Sequence, residues 1–181
     1  ISLGNKEDVN DAVSAAKKYH AAVGNSSYGY YAAGVHPAPV TTVDRLDFAN
    51  DTATATPKGP IYQAKGYLGG AGNQSYGYIA GGGASPDITD ISRIDYSNDT
   101  ATALEKGHLN NPGVRGPGAT SNQDFGYFSG GTLNSGPFYS KVERLSFFND
   151  TMTASHKTNL SLARYVNQGA TGNSSFGYIA G

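Results

Sequence analysis

The chain has 181 residues, 25 of them Gly, about 14% against a usual share of roughly 7%, and only 15% are charged. Its 13 Lys and Arg nearly cancel 14 Asp and Glu to a net charge of -1, which excludes the basic surface of a dedicated nucleic-acid binder. Cys is absent, no apolar run approaches the roughly 18 residues that cross a bilayer, and 38% hydrophobic residues with 13 Tyr and 7 Phe argue for one packed core rather than a linker.

The chain opens on Ile1 rather than Met, as a processed product or a piece of something longer would. Ile1-Ser2-Leu3-Gly4-Asn5 lines up with Leu145-Ser146-Phe147-Phe148-Asn149, so the N-terminus is expected to start in a third strand and run on through a fourth. The alanines between Asp8 and Lys17 leave one local helix-or-strand ambiguity. From Gly24 a unit begins that occurs four times: Gly24-Asn25-Ser26-Ser27-Tyr28-Gly29-Tyr30, Gly72-Asn73-Gln74-Ser75-Tyr76-Gly77-Tyr78, Ser121-Asn122-Gln123-Asp124-Phe125-Gly126-Tyr127 and Gly172-Asn173-Ser174-Ser175-Phe176-Gly177-Tyr178. A second unit alternates with it, running Asp44-Arg45-Leu46-Asp47-Phe48-Ala49-Asn50-Asp51-Thr52 and recurring from Ser92 and from Glu143. The period is about 49 residues, in the range of tandem β-sheet repeats.

Side-chain alternation says what one period builds. In Tyr76-Gly77-Tyr78-Ile79-Ala80 both faces are apolar or small, the pattern of a strand held between two layers. Ile94 and Tyr96 share one face of the next strand while Arg93 and Asp95 share the other, and Asn98-Asp99 then supplies a turn before the β-favouring Thr100-Ala101-Thr102. Each period reads as about four short strands, and the array as an all-β propeller of four-stranded blades. The repeats fall at 18–66, 67–115 and 116–164, with 165–181 plus 1–17 expected to form a composite blade closing a four-bladed ring within one propeller domain. The alternatives are a fragment of a six- or seven-bladed ring, or a blade completed between chains in a homo-oligomer or fibre.

Tyr78-Ile79-Ala80-Gly81-Gly82, the aromatic-plus-turn unit at residues 96–100 and a basic residue before the next strand (Lys65, Arg115, Arg164) resemble kelch repeats, with Ala55, Ala103 and Ala154 in place of the usual Trp. The recurring Asn-Asp-Thr-Ala-Thr-Ala and Ser-Tyr-Gly-Tyr motifs are more similar to the tandem repeats of structural and tail-associated proteins of marine bacteriophages, notably cyanophages. That resemblance implies a non-enzymatic binding or structural module of a virion or extracellular assembly. Its expected partner is a protein or glycan on a host or virion surface, without nucleic acid, membrane insertion or cofactor. A glycan-acting propeller enzyme is the alternative class.

The candidate chemistry follows the repeats. Arg45, Arg93 and Arg144 sit two residues from Asp47, Asp95 and Ser146 on one strand face, and their expected role is to brace one blade against the next. The aromatics Tyr28, Tyr76, Phe125 and Phe176 are expected to be structural in the same way. Asp51, Asp99 and Asp150 read as turn residues, since one carboxylate per turn does not make a calcium site. His20, His36, His108 and His156 occupy different repeat positions and have no metal spacing. No catalytic acid, nucleophile or metal set stands out, and the Asn-x-Ser/Thr sequons at Asn25, Asn50, Asn73, Asn98, Asn149, Asn159 and Asn173 mostly coincide with repeat turns. Binding is expected on the variable connections at 35–40, 83–88 and 132–139, where His36, Asp87, Asn134, Phe138 and Tyr139 are the candidate contacts.

Overall fold

The computed structural model describes residues 15–83, 88–110, 114–134, 136–164 and 168–181. These residues are all-β. Three four-stranded antiparallel sheets follow one another along the chain, each a simple meander, and a two-stranded hairpin ends it. The first sheet comprises β1 (Ala21–Gly24), β2 (Tyr28–Ala32), β3 (Val43–Asp47) and β4 (Thr56–Lys58). The second comprises β5 (Gly69–Gly72), β6 (Tyr76–Ala80), β7 (Asp90–Asp95) and β8 (Leu104–His108). The third comprises β9 (Gly118–Ser121), β10 (Phe125–Ser129), β11 (Tyr139–Ser146) and β12 (Ser155–Arg164), and the hairpin β13 (Gly169–Gly172) and β14 (Gly177–Ala180).

The recurring Asn sets the first turn of every sheet. Asn25 Oδ1 accepts from the backbone N–H of Ser27 and of Tyr28 at 2.9 Å, and Asn73, Asn122 and Asn173 repeat the pattern. The register that follows places Gly24 opposite Gly29 and Gly72 opposite Gly77. The backbones are close here: a Cβ on Gly24 would lie 2.4 Å from the Tyr28 carbonyl oxygen.

The turn after the third strand differs from expectation. In the second sheet it is a 3₁₀ turn, Tyr96–Asn98, opened by the Asp95 carboxylate accepting from the Ser97 N–H at 2.9 Å. Ala101 N–H then donates to the Asn98 carbonyl, so Thr100-Ala101-Thr102 belongs to the turn and β8 starts only at Leu104. Local side-chain capping outcompetes the β propensity of the two threonines.

Successive sheets bury their faces against each other. Tyr30, Val43, Ile61 and Ile79 lie in the core between the first and second sheets, and Tyr78, Ile91, Phe128 and Leu145 in that between the second and third. Strand β6 feeds both cores, Ile79 into one and Tyr78 into the other, as its two-faced apolar pattern requires. The first strands β1, β5, β9 and β13 line one open recess of about 240 Å³, with Ala22, Ala71, Ala119 and Ala170 among its walls. Small residues are needed there because four backbones converge. The expected third strand at residues 1–5 and the ambiguous segment from Asp8 fall largely outside the described residues, as do Tyr165, Val166 and Asn167.

Candidate functional site

The recurring polar residues meet between sheets. Arg45 does not pair with Asp47. Its guanidinium reaches Asp99, in the turn of the next sheet, at 2.8 Å, and Arg93 reaches Asp150 at the same distance. The Tyr30 hydroxyl donates to Asp99 at 2.9 Å and that of Tyr78 to Asp150 at 3.0 Å. Lys58 and Lys106 complete the two cradles, 3.2 and 3.5 Å from the second carboxylate oxygen. Asp47 and Asp95 do the local work instead, accepting from the N–H two residues on. Asp99 and Asp150, expected as turn residues, therefore hold the sheets together, and Asp47 and Asp95, two residues from the arginines, shape the turns.

The strands explain the convergence. Tyr30 is opposite Arg45, Tyr78 opposite Arg93 and Tyr127 opposite Arg144, so phenol and guanidinium emerge side by side. Each guanidinium is seated over the aromatic two residues before that tyrosine, 4.2 Å from the Tyr28 ring, 4.3 Å from Tyr76 and 4.1 Å from Phe125. Tyr30 stacks on Tyr96 with centroids 4.8 Å apart, and Tyr78 on Phe147 at 4.6 Å. Burial, reinforced by the neighbouring aspartate, pushes the Tyr30 and Tyr78 hydroxyls well above the ordinary phenol range. The outer strand joins in through its backbone, where Gly59 N–H donates to the Asp99 carbonyl and Gly107 N–H to that of Asp150.

A second set of charges ties each connection to its own sheet. Lys17 pairs with Asp44 at 2.8 Å, and Lys65, fully buried, with Asp90 at 2.8 Å. Burial pulls the Lys65 ammonium below its usual range, opposed by the Asp90 carboxylate. Among the described residues, no group of three or more His, Cys, Asp or Glu is placed to hold a metal.

The loop candidates are dispersed. His36 lies exposed on a loop of the first sheet, whereas Asn134, Phe138 and Tyr139 belong to the third, with Phe138 exposed and Tyr139 opening β11. Asp87 lies outside the described residues. These loops share one end of the molecule with the connections that lead into the first strands, as the bridges Lys18 to Val35, Gly66 to Gly83 and Arg115 to Thr132 show.

At that end the structure reveals a feature the sequence reading missed. Tyr19 and Tyr67 stack with centroids 4.0 Å apart, and both backbones are left-handed, at φ 59° and 62°. Gly116 holds the same conformation at φ 66° in the third repeat. The three are chained, with Tyr67 N–H donating to the Tyr19 carbonyl and Gly116 N–H to that of Tyr67. Left-handed geometry costs a non-glycine residue roughly 1 kcal/mol or more, so two tyrosines here are held against strain. With His20, Leu68, Pro117 and Gln168 they line a cavity of about 160 Å³. The only hint in the sequence was that Tyr19 and Tyr67 align with a glycine.

No family model matches this chain, and no curated protein matches it.

Proposed function

We infer that the chain is a non-enzymatic binding module of propeller type, serving a virion or extracellular assembly through the end that carries Tyr19, Tyr67 and the variable loops. The propeller reading draws support from the serial four-stranded sheets and the recess that their first strands share. The observation that carries the functional reading is the strained tyrosine stack, which lies apart from the arginine–aspartate latches and walls a cavity beside His20 and Gln168. Lys17, Arg45, Lys65 and Arg93, by contrast, are occupied in holding sheets and connections together. Stacked phenols with amide and imidazole neighbours suit the flat apolar face and hydroxyls of a sugar ring, which makes a surface glycan the favoured partner.

The test is a glycan panel screened for binding and for turnover, with Tyr67→Gly as the decisive variant. Glycine occupies the equivalent position in the third repeat, so this substitution relieves the backbone while deleting the ring. Binding without turnover, lost in a folded Tyr67→Gly chain, supports the reading. Turnover of any glycan, or binding indifferent to Tyr67, overturns it.

A further inference from the structure

The third sheet presents the same cradle as the first two. Tyr127 is opposite Arg144, whose guanidinium is already seated 4.1 Å over Phe125, and Lys157 stands on β12 where Lys58 and Lys106 stand on β4 and β8. Among the described residues no ion pair involves Arg144 or Lys157. Beside the cradle, the outer edge of β14 is unpaired among the described residues. Between hairpin and sheet a cleft of about 260 Å³ opens, walled by Tyr127, Val142, Thr158, Phe176 and Ile179.

We propose that this edge and cradle form an acceptor for a β-strand with a following Asn-Asp turn, supplied by a polypeptide of this repeat's own type. The strand adds to β14 through main-chain hydrogen bonds, its terminal aromatic enters the cleft against Tyr127, and the turn aspartate takes Arg144, Lys157 and the Tyr127 hydroxyl. Both occupied cradles are the precedent: Tyr96 lies on Tyr30 while Asp99 takes Arg45, and Phe147 lies on Tyr78 while Asp150 takes Arg93. Two cations and a phenol with no carboxylate among the described residues give the charge complementarity.

One residue breaks the copy. Thr158 stands where Gly59 and Gly107 let the next turn approach, and a Cβ on either glycine would lie 2.0 Å from a carbonyl oxygen of that turn. The incoming turn therefore sits farther from β12 than its counterparts do from β4 and β8, and the side-chain latch carries a larger share of the contact. The inference stands on sheet packing alone, so its outcome is independent of any ligand at the tyrosine end.

The probe is a synthetic peptide of residues 90–108 of this chain, titrated against the full chain by fluorescence anisotropy. Saturable binding is expected, weakened about tenfold or more when the peptide carries Asp99→Asn, and strengthened several-fold when the full chain carries Thr158→Gly. The peptide variant leaves the folding of the protein untouched. Equal affinity of the two peptides overturns the proposal. So does the absence of saturable binding, the result expected if the edge and cradle accept no strand of this repeat.

Discussion

Replacing Asp99 by Asn is the sharpest test of the inter-sheet latch. The Asp99 carboxylate is 8% exposed and accepts from Arg45 at 2.8 Å, Tyr30 at 2.9 Å and Lys58 at 3.2 Å. Hydrogen bonds to charged groups are worth about 1.5–3 kcal/mol each, but Asn keeps one acceptor for the phenol, and the Arg45 side chain, 24% exposed, regains water. A net loss of about 2 kcal/mol follows, which with a urea slope of about 2 kcal/mol/M lowers the unfolding midpoint by about 1 M. Asp51 is the built-in control. It closes the same Asn-Asp-Thr turn in the first sheet but is exposed, with no ion pair among the described residues, so Asp51→Asn shifts stability by at most about 0.5 kcal/mol. Urea unfolding of both variants, with Arg45→Gln added for a double-mutant cycle, separates latch from turn. Equal costs at Asp51 and Asp99, or no coupling between Asp99 and Arg45, refute the reasoning.

Glycine positions give a second contrast: a Cβ at Gly107 would meet the Met152 carbonyl oxygen at 2.0 Å and disturb the Gly107 hydrogen bond to Asp150, so Gly107→Ala loses about 3 kcal/mol. Gly169→Ala, with nothing within 4 Å of its Cβ, is neutral to slightly stabilising in the same urea titration. Alkali acts through Tyr30, Tyr78 and Tyr96, whose hydroxyls burial raises above the unfolded value of about 10. Their stabilisation is full below that pH and is lost as pH rises, by about 1.4 kcal/mol per unit for each tyrosine while it stays protonated only in the fold. Thermal unfolding combined with phenolate absorbance checks this, and full ionisation near pH 10 in a folded chain contradicts it. At the tyrosine end, Tyr67→Gly keeps or raises the melting temperature even as it removes the ring, because the strain goes with it.

What could be read from the chain was local. The Tyr-Gly-Tyr strands were legible because alternation fixes their faces within five residues, and both faces being apolar announced a layer on each side. The partner of Arg45 was not, because Asp99 is 54 positions away and belongs to another sheet. Asp47, two residues off on the same face, was the nearer candidate, and adjacency within a strand says nothing about which sheet faces it. A usable signal was present: Asn98 alone satisfies a turn, so an acid beside it in all three copies, always accompanied by Lys on the outer strand, asks for a second role. The threonines of the turn misled for the opposite reason, since β propensity reports a fit to a pleated surface and yields to a carboxylate that caps the backbone locally.

In a tandem array a side chain present in every copy answers a need that every copy has, and here that need is met between neighbouring sheets. Asn25, Asn73, Asn122 and Asn173 shape turns, Arg45 and Arg93 hold the next sheet, and Lys17 and Lys65 fasten connections. On the proposed binding role, specificity then resides where the copies disagree. Tyr19 and Tyr67 against Gly116 is one disagreement, Thr158 against Gly59 and Gly107 another, and the two lie on different parts of the fold. A tyrosine where glycine fits without strain carries a backbone cost, and a threonine where glycine admits a neighbouring turn changes what can approach. Substituting each departing residue by its counterpart separates the two proposals: Tyr67→Gly is expected to act on ligand capture at one end, and Thr158→Gly on strand addition at the third sheet.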